Sequence, residues 1–187
     1  MSTTRDELIE RAISLVRVQG YAGFSYADLA DAVGIRKPSI HHYFPSKEDL
    51  AEAIVEVYSA QFFGRLEAIA AKAGTVHERI SAYAGIYREA LKADQACLCG
   101  MLASEVAILP EPVRRGVARF FERNLLWLEA TLSEGAGKAA ATASRGQARM
   151  IISSLQGALF VARSLGNRQM FDDAVGAVLD GLRRKPS

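Results

Sequence analysis

Between Gly34 and Lys47 the chain carries Arg36, Lys37 and Lys47 and no acid, while its total formal charge is only +2. Among these cations stand Pro38, Ser39, His41, His42 and Tyr43, most of them able to donate, accept or stack. Cations beside short polar and aromatic groups suit phosphate oxygens and base edges, so any nucleic-acid surface on this near-neutral protein is local and lies here. A metal site at His41-His42 does not fit, because adjacent helical residues do not converge and no third ligand stands nearby. A second group, Cys97-Leu98-Cys99-Gly100, is too tightly spaced for an ordinary disulfide and lacks the further ligands of a zinc site. At a helix start either thiol could ionise and sense oxidants or electrophiles, although buried, inert cysteines are commoner. A third group gathers Phe62, Phe63, Tyr83, Tyr87, Phe120, Phe121 and Trp127 with the sulfur of Met101. At helical spacing these residues build either a plain core or an apolar ligand pocket with one or two polar anchors. No Gly-rich phosphate loop, G-x-S-x-G or H-E-x-x-H occurs, so a helical enzyme is the weakest reading and no cofactor or metal is implied.

The elements that must position these groups are helical. Apolar residues recur at i, i+3 and i+4 nearly throughout 187 residues, and alternating strand-like runs are missing. A chain of this size buries about 70% of its surface, enough for a core without staples. With no signal-peptide run at the start and no apolar stretch near ~18 residues, no membrane partner is expected and the protein reads as cytoplasmic. Three capping boxes, Ser25 with Asp28, Ser46 with Asp49 and Thr75 with Glu78, fix three helix starts. A first helix closes at Gly20, a second spans Tyr26 to Val33 before Gly34, and a third begins at Pro38 and ends near Phe44. Two short helices joined by a Gly-containing turn form a helix-turn-helix, with Ile40 and Phe44 inward and Pro38, Ser39, His41 and His42 outward. A fourth helix runs to about Ala73, a fifth starts at Thr75, a sixth covers Cys99 to Leu109, and a seventh covers Glu111 to about Ser133. The Gly/Ala-rich stretch 135–143 reads as a linker whose alanines could also extend a helix.

Two closing helices, roughly Ala143 to Leu165 and Gln169 to Arg183, complete an all-α chain of about nine helices. The penultimate one is apolar on more than one side and needs two partners. Leu155, Leu159, Ala162, Phe171, Val175 and Val178 are the candidate interface of a homodimer whose two subunits share a four-helix bundle; a deeply buried core helix is the alternative.

The register of Gly20-Tyr21, Phe24-Ser25, Asp28-Leu29-Ala30, Val33-Gly34-Ile35, Lys37 and His42-Tyr43-Phe44-Pro45-Ser46-Lys47-Glu48 closely resembles the DNA-binding domain of the TetR family of transcriptional regulators. The resemblance implies a helix-turn-helix domain over 1–47 and a ligand-binding and dimerisation domain over 48–187. It implies Ser25 and Lys47 as phosphate contacts, and Lys37, Ser39, His41, His42 and Tyr43 on the recognition helix. His41 stands where the family usually has Tyr, and Arg36 where a small hydroxyl residue often precedes the helix. The expected protein is a homodimeric repressor on a palindromic double-stranded operator, released by a small, largely apolar effector contacting Phe62, Tyr83, Tyr87, Met101, Phe120 and Trp127. Sensing through Cys97 or Cys99 is the alternative input to the same DNA-binding head.

Overall fold

The computed structural model describes residues 4–72, 74–134 and 138–183, and among these it contains nine α-helices, one 3-10 turn and no strand. The helices are α1 (Thr4–Gly23), α2 (Tyr26–Val33), α3 (Lys37–Tyr43), α4 (Lys47–Ala71), α5 (Val76–Lys92), α6 (Leu98–Ser104), α7 (Glu111–Leu132), α8 (Lys138–Leu165) and α9 (Arg168–Arg183).

Local chemistry accounts for most of these boundaries. In each of the three capping boxes the hydroxyl accepts the N–H three residues on, and the acid accepts the cap residue's own N–H. The paired distances are 3.4 and 2.6 Å for Ser25/Asp28, 3.1 and 2.9 Å for Ser46/Asp49, and 3.2 and 2.7 Å for Thr75/Glu78. Gly34 ends α2 in the left-handed region at φ 77°, its N–H on the Ala30 carbonyl. Gly20, at φ 82° and ψ 176°, breaks α1 as expected, but a further turn, residues 21–23, follows it. That turn survives because the Glu105 carboxylate accepts the Tyr21 and Ala22 N–H groups. The sixth helix is shorter than its apolar pattern suggests. It gives way at Ser104 to a 3-10 turn, Val106–Ile108, ahead of Pro110. Helix α8 begins at Lys138, so the expected linker is helical from there on, in keeping with the propensity of its alanines 139–141 and 143; positions 135–137, and Ala73 at the end of the fourth helix, lie outside the described residues.

The chain divides into two compact units. The first comprises the chain up to Phe62 together with Cys97–Phe120; the second comprises Phe63–Ala96 and the chain from Phe121 on. In the first, Leu8, Ala12 and Val16 of α1 are buried with Leu29, Ile40, Leu50, Ile54 and Leu102. There α7 comes so close to α4 that a Cβ on Gly116 would sit 2.9 Å from Val55 Cγ1. In the second, α5, α8 and α9 pack together, burying Ile80, Tyr83, Tyr87, Ile151, Leu155, Leu159, Phe171 and Val175. No helix among the described residues is long and apolar enough to cross a membrane.

This packing corrects the expected dimer surface. Leu155, Leu159, Ala162, Phe171, Val175 and Val178 are all at most 6% exposed within the single chain. They pack inside the second unit and offer little area to a partner. What α8 leaves outside is Met150, Gly157, Val161 and Leu165, near one another around the helix, and α9 leaves Ala177 and Gly181. Helix α8 thus carries apolar residues both inside and outside the chain, and their spacing alone does not say which side faces inward.

Candidate nucleic-acid interface

The site begins at Ser25. Phe24 and Leu29, both buried, flank the start of α2, and the Ser25 hydroxyl donates to Asp28 at 2.7 Å while accepting the Ala27 and Asp28 N–H groups. These Ser25 hydrogen bonds, side-chain first, hold the Asp28 carboxyl below its ordinary range. After the Gly34 turn, α3 opens with Pro38 in its first turn, where a missing N–H costs nothing. Ile40 and, just past its end, Phe44 are buried. Arg36, Lys37, Pro38, Ser39, His41, His42 and Tyr43 are exposed, so every predicted residue of the reading helix lies away from the core.

Two contacts stiffen this face. The Tyr26 hydroxyl shares its one proton between the Phe44 carbonyl at 2.9 Å and the Ser46 carbonyl at 2.5 Å, tying the start of α2 to the α3–α4 junction. Burial, then the charge of Asp49, pushes that phenol up to about 12, so it remains a donor. His41 packs on Tyr26 with ring centroids 4.8 Å apart and the rings tilted by 60°, and its Nδ1 lies 3.2 Å from the Pro45 carbonyl. Since a carbonyl only accepts, Nδ1 is the donor in that bond. His42 and Tyr43 pair edge to face at 5.3 Å.

Lys47 is placed differently from Ser25 and the α3 residues. Its ammonium donates to the Tyr21 and Phe24 carbonyls, each at 2.6 Å, and lies 4.5 Å from both of their rings. Burial lowers its pKa, while Glu105 and Asp28 oppose that shift. The side chain expected to meet a phosphate is thus engaged in bracing the α1–α2 connection.

The predicted effector residues fall into two groups. Phe62 and Phe120 pack at 4.9 Å beside Tyr58 in the first unit, where Met101 is half-buried on α6. Tyr83, Tyr87 and Trp127 belong to the second unit. There Tyr83 donates to Asn124 Oδ1 at 3.1 Å, so the 2.9 Å bond between the two phenols is donated by Tyr87. Trp127 stacks on Tyr83 at 5.5 Å and also lines an open depression of about 240 Å³ with Phe63, Leu66, Glu67, Arg123 and Leu126. The Arg123 guanidinium lies 3.7 Å from the Phe63 ring centre. Cys97 and Cys99 are free and buried. Tyr58 donates to Cys97 Sγ at 3.6 Å, and burial, with the neighbouring Cys97, pushes the Cys99 thiol up and away from the reactive thiolate. No cluster of three or more metal-ligating side chains occurs among the described residues.

Tyr26, Asn124 and Glu105 escaped the sequence reading. Tyr26 could have been suspected as a phenol in the first turn of a helix with a neighbouring helix end to reach. Asn124 is a polar residue on the buried face of an amphipathic helix, which is itself a signal. Glu105 carried none, since its partners lie more than eighty residues away.

Residues 8–54 match the family described as bacterial regulatory proteins, tetR family. A solved transcriptional regulator of the TetR family from Agrobacterium tumefaciens is 31% identical, with a TM-score of 0.87 over 94% of this chain and 95% of that one. The chain belongs to the TetR family of transcriptional regulators. A TetR regulator from Legionella pneumophila, 28% identical, superposes with a TM-score of 0.90 over 95% of this chain and 96% of that one. Among curated relatives, the regulator CymR of Pseudomonas putida is 31% identical over 71% of this chain and 67% of its own length. The repressor NemR of Escherichia coli is 28% identical over 71% and 68%. As a TetR-family member the protein is a DNA-binding transcriptional regulator, and the helix-turn-helix of α2 and α3 lies within the matched segment.

Proposed function

We propose that this TetR-family protein is a homodimeric repressor that binds a two-fold-symmetric operator and is released by a small, largely apolar effector. The observation that carries the DNA arm is the exposed, acid-free face from Arg36 to Tyr43, backed by buried Ile40 and Phe44 and braced by Tyr26. On this reading α3 enters the major groove, with Lys37, Ser39, His41, His42 and Tyr43 toward the bases or backbone and Arg36 and Ser25 toward phosphates. Residues 1–47 act as the reading head and 48–187 as its regulatory body; Lys47 serves mainly to brace the head. The repressor names of relatives such as NemR support the sign of the response.

The dimer is supported by the apolar and small residues that α8 and α9 leave exposed, since two half-sites need two heads. Val161→Asp with Leu165→Asp, both already in water, spares the core and is expected to yield monomer in sedimentation at micromolar concentration. A variant that sediments as wild type places the interface elsewhere.

For the effector, the Trp127 depression and the adjoining Tyr83–Tyr87–Asn124 network supply an apolar floor and a polar anchor. Thiol sensing is the weaker input, because burial holds the Cys99 thiol protonated. Unchanged operator release by oxidant in Cys97→Ser and Cys99→Ser variants would remove it.

The deciding experiment is selection of duplexes from a randomised pool by the full-length protein, followed by affinity measurement across a salt series. A dimer with about six phosphate contacts is expected to select a palindrome and to show a slope of log K on log salt near −5. Retention that ignores sequence, or no retention at low salt, refutes the proposal.

A further inference from the structure

The backbone of Tyr21 is held from both sides. Its N–H donates to Glu105 Oε2 at 2.5 Å, and the Ala22 N–H donates to Oε1 at 3.2 Å. Its carbonyl accepts the Lys47 ammonium at 2.6 Å, which also takes the Phe24 carbonyl. Glu105 follows directly on α6, a helix that packs on α1, and Lys47 is the first residue of α4, three positions after Phe44 closes α3. A continuous relay of charge-assisted hydrogen bonds therefore runs from the end of α6, through one residue of the α1–α2 connection, to the α3–α4 junction.

The close approach is built into the backbone. At Gly20 a Cβ would sit 2.9 Å from Glu105 Oε1 and 3.0 Å from Oε2, and the residue's φ of +82° is one that side chains other than hydrogen rarely adopt. Glycine is needed there twice over, for its dihedral and for the space that admits the carboxylate. Glu105 is half-buried, and its two oxygens accept the first two N–H groups of the turn 21–23.

We propose that Glu105 is a positioning residue for operator reading: through Tyr21 and Lys47 it makes the placement of the α3–α4 junction depend on the end of α6. It touches no DNA. With the carboxylate in place, Tyr21 and Lys47 fix the start of α4 and, with Tyr26, the end of α3. With it withdrawn, the 21–23 turn loses its cap, Lys47 loses a fixed carbonyl, and the reading helix spends less time in its binding placement. Any movement of α6 is thereby converted into a change of operator affinity. This rests on DNA binding by the α3 face and is independent of which effector, if any, moves α6.

The test uses full-length Glu105→Ala and Glu105→Gln, with a duplex recovered by the selection described above. If the head is binding-competent for about a tenth of the time without the latch, apparent affinity falls about tenfold in Glu105→Ala, equally for preferred and altered duplexes. Glu105→Gln keeps one acceptor oxygen and is expected to recover part of that loss. Amide exchange at Tyr21 and Ala22 should accelerate in both, while the DNA-binding active fraction from stoichiometric titration stays at the wild-type level. A cycle with Lys47→Met is expected to be non-additive, since both variants cut the same relay. Glu105→Ala that exchanges faster at Tyr21 yet binds DNA as wild type overturns the proposal, as does additivity with Lys47→Met. If the alanine variant fails to fold, Glu105→Gln with wild-type affinity and exchange overturns it equally. Wild-type protein that retains no duplex defeats this inference together with the DNA arm of the proposed function, whereas failure confined to the variants defeats this inference alone.

Discussion

The reading head and the second unit hold their polar groups in opposite ways. Around α2 and α3, the hydrogen bonds that matter end on main-chain atoms: Tyr26 on the Phe44 and Ser46 carbonyls, Lys47 on those of Tyr21 and Phe24, Glu105 on the Tyr21 and Ala22 N–H groups. In the second unit several join side chain to side chain, as in Tyr83 with Asn124, Arg79 with Glu134, and Arg88 with Asp172 at 2.6 Å, with Arg168 on the Lys92 carbonyl as a main-chain exception. Main-chain anchors fix where a backbone lies, which a surface that reads base edges requires. Side-chain pairs set which helices meet while leaving each helix able to shift by a rotamer. The contrast sets a head whose backbone is pinned at several points against a body held largely by side-chain pairs, and it can be broken by substitution.

The largest expected effect is in the head's core. Ile40 is fully buried with Phe44 beneath the exposed α3 face. Ile40→Ala should cost about 2–5 kcal/mol of stability and abolish selective duplex retention. Leu159→Ala, equally buried in the second unit, should cost a similar amount in thermal unfolding yet leave duplex preference intact. Loss of preference in both would mean that reading depends on the whole body as strongly as on the head, and the contrast would fall.

A smaller effect is expected from the buried phenol network. Asn124→Leu removes the acceptor of the Tyr83 hydroxyl, leaving a buried O–H to find another partner, at a cost of about 1–3 kcal/mol. Adding Tyr83→Phe and Tyr87→Phe to Asn124→Leu should recover much of that loss, because the acceptor and both phenols of the chain are then apolar, whereas Tyr83→Phe alone would strand the Tyr87 hydroxyl that donates to it. Failure of the triple variant to recover would show that Asn124 is held chiefly by something other than this chain of hydroxyls.

Legibility followed the same division. Where structure is set by neighbours in sequence, the residues announce it: Ser25 with Asp28 and Thr75 with Glu78 mark helix starts, Gly34 marks a left-handed stop, and the four-residue step from Ile40 to Phe44 marks the inward side of α3. Where it is set by distant partners they do not. Lys47 in a basic cluster looks like a phosphate ligand until Tyr21 and Phe24 are seen around it. Leu155 and Val161 are equally apolar, and only the packing of α5, α8 and α9 decides that the first is inside and the second outside. The aromatic residues were legible as a set, yet spacing alone could not divide Phe62 and Phe120 from Tyr83 and Trp127, since each helix shows the same period in either unit.

The smallest effect compares the two units through one shared device. Both carry a capping box whose acid is held below its ordinary range, Asp28 by the Ser25 side chain and then its backbone, Glu78 by the Thr75 backbone and then its side chain. A carboxyl whose folded-state pKa is depressed binds fewer protons folded than unfolded. Its contribution is therefore fully present above the unfolded value, near 4, and is lost as pH falls through the folded one. Ser25→Ala and Thr75→Ala should each lower stability by about 1 kcal/mol near neutral pH. In denaturant titrations the gap between wild type and each variant should stay constant above pH ~5 and narrow below ~4, as the acid that the hydroxyl helps to hold becomes protonated. A gap that persists undiminished to pH ~2 would mean that the hydroxyl's bonds to the N–H groups carry the cap without the acid. The two variants should part on DNA. Ser25 starts the helix that backs the reading face, so Ser25→Ala should weaken duplex binding, whereas Thr75→Ala, at the start of α5, should leave it unchanged. Equal loss in both would show that the caps act only through global stability, removing the local rigidity that separates the head from the rest of the chain.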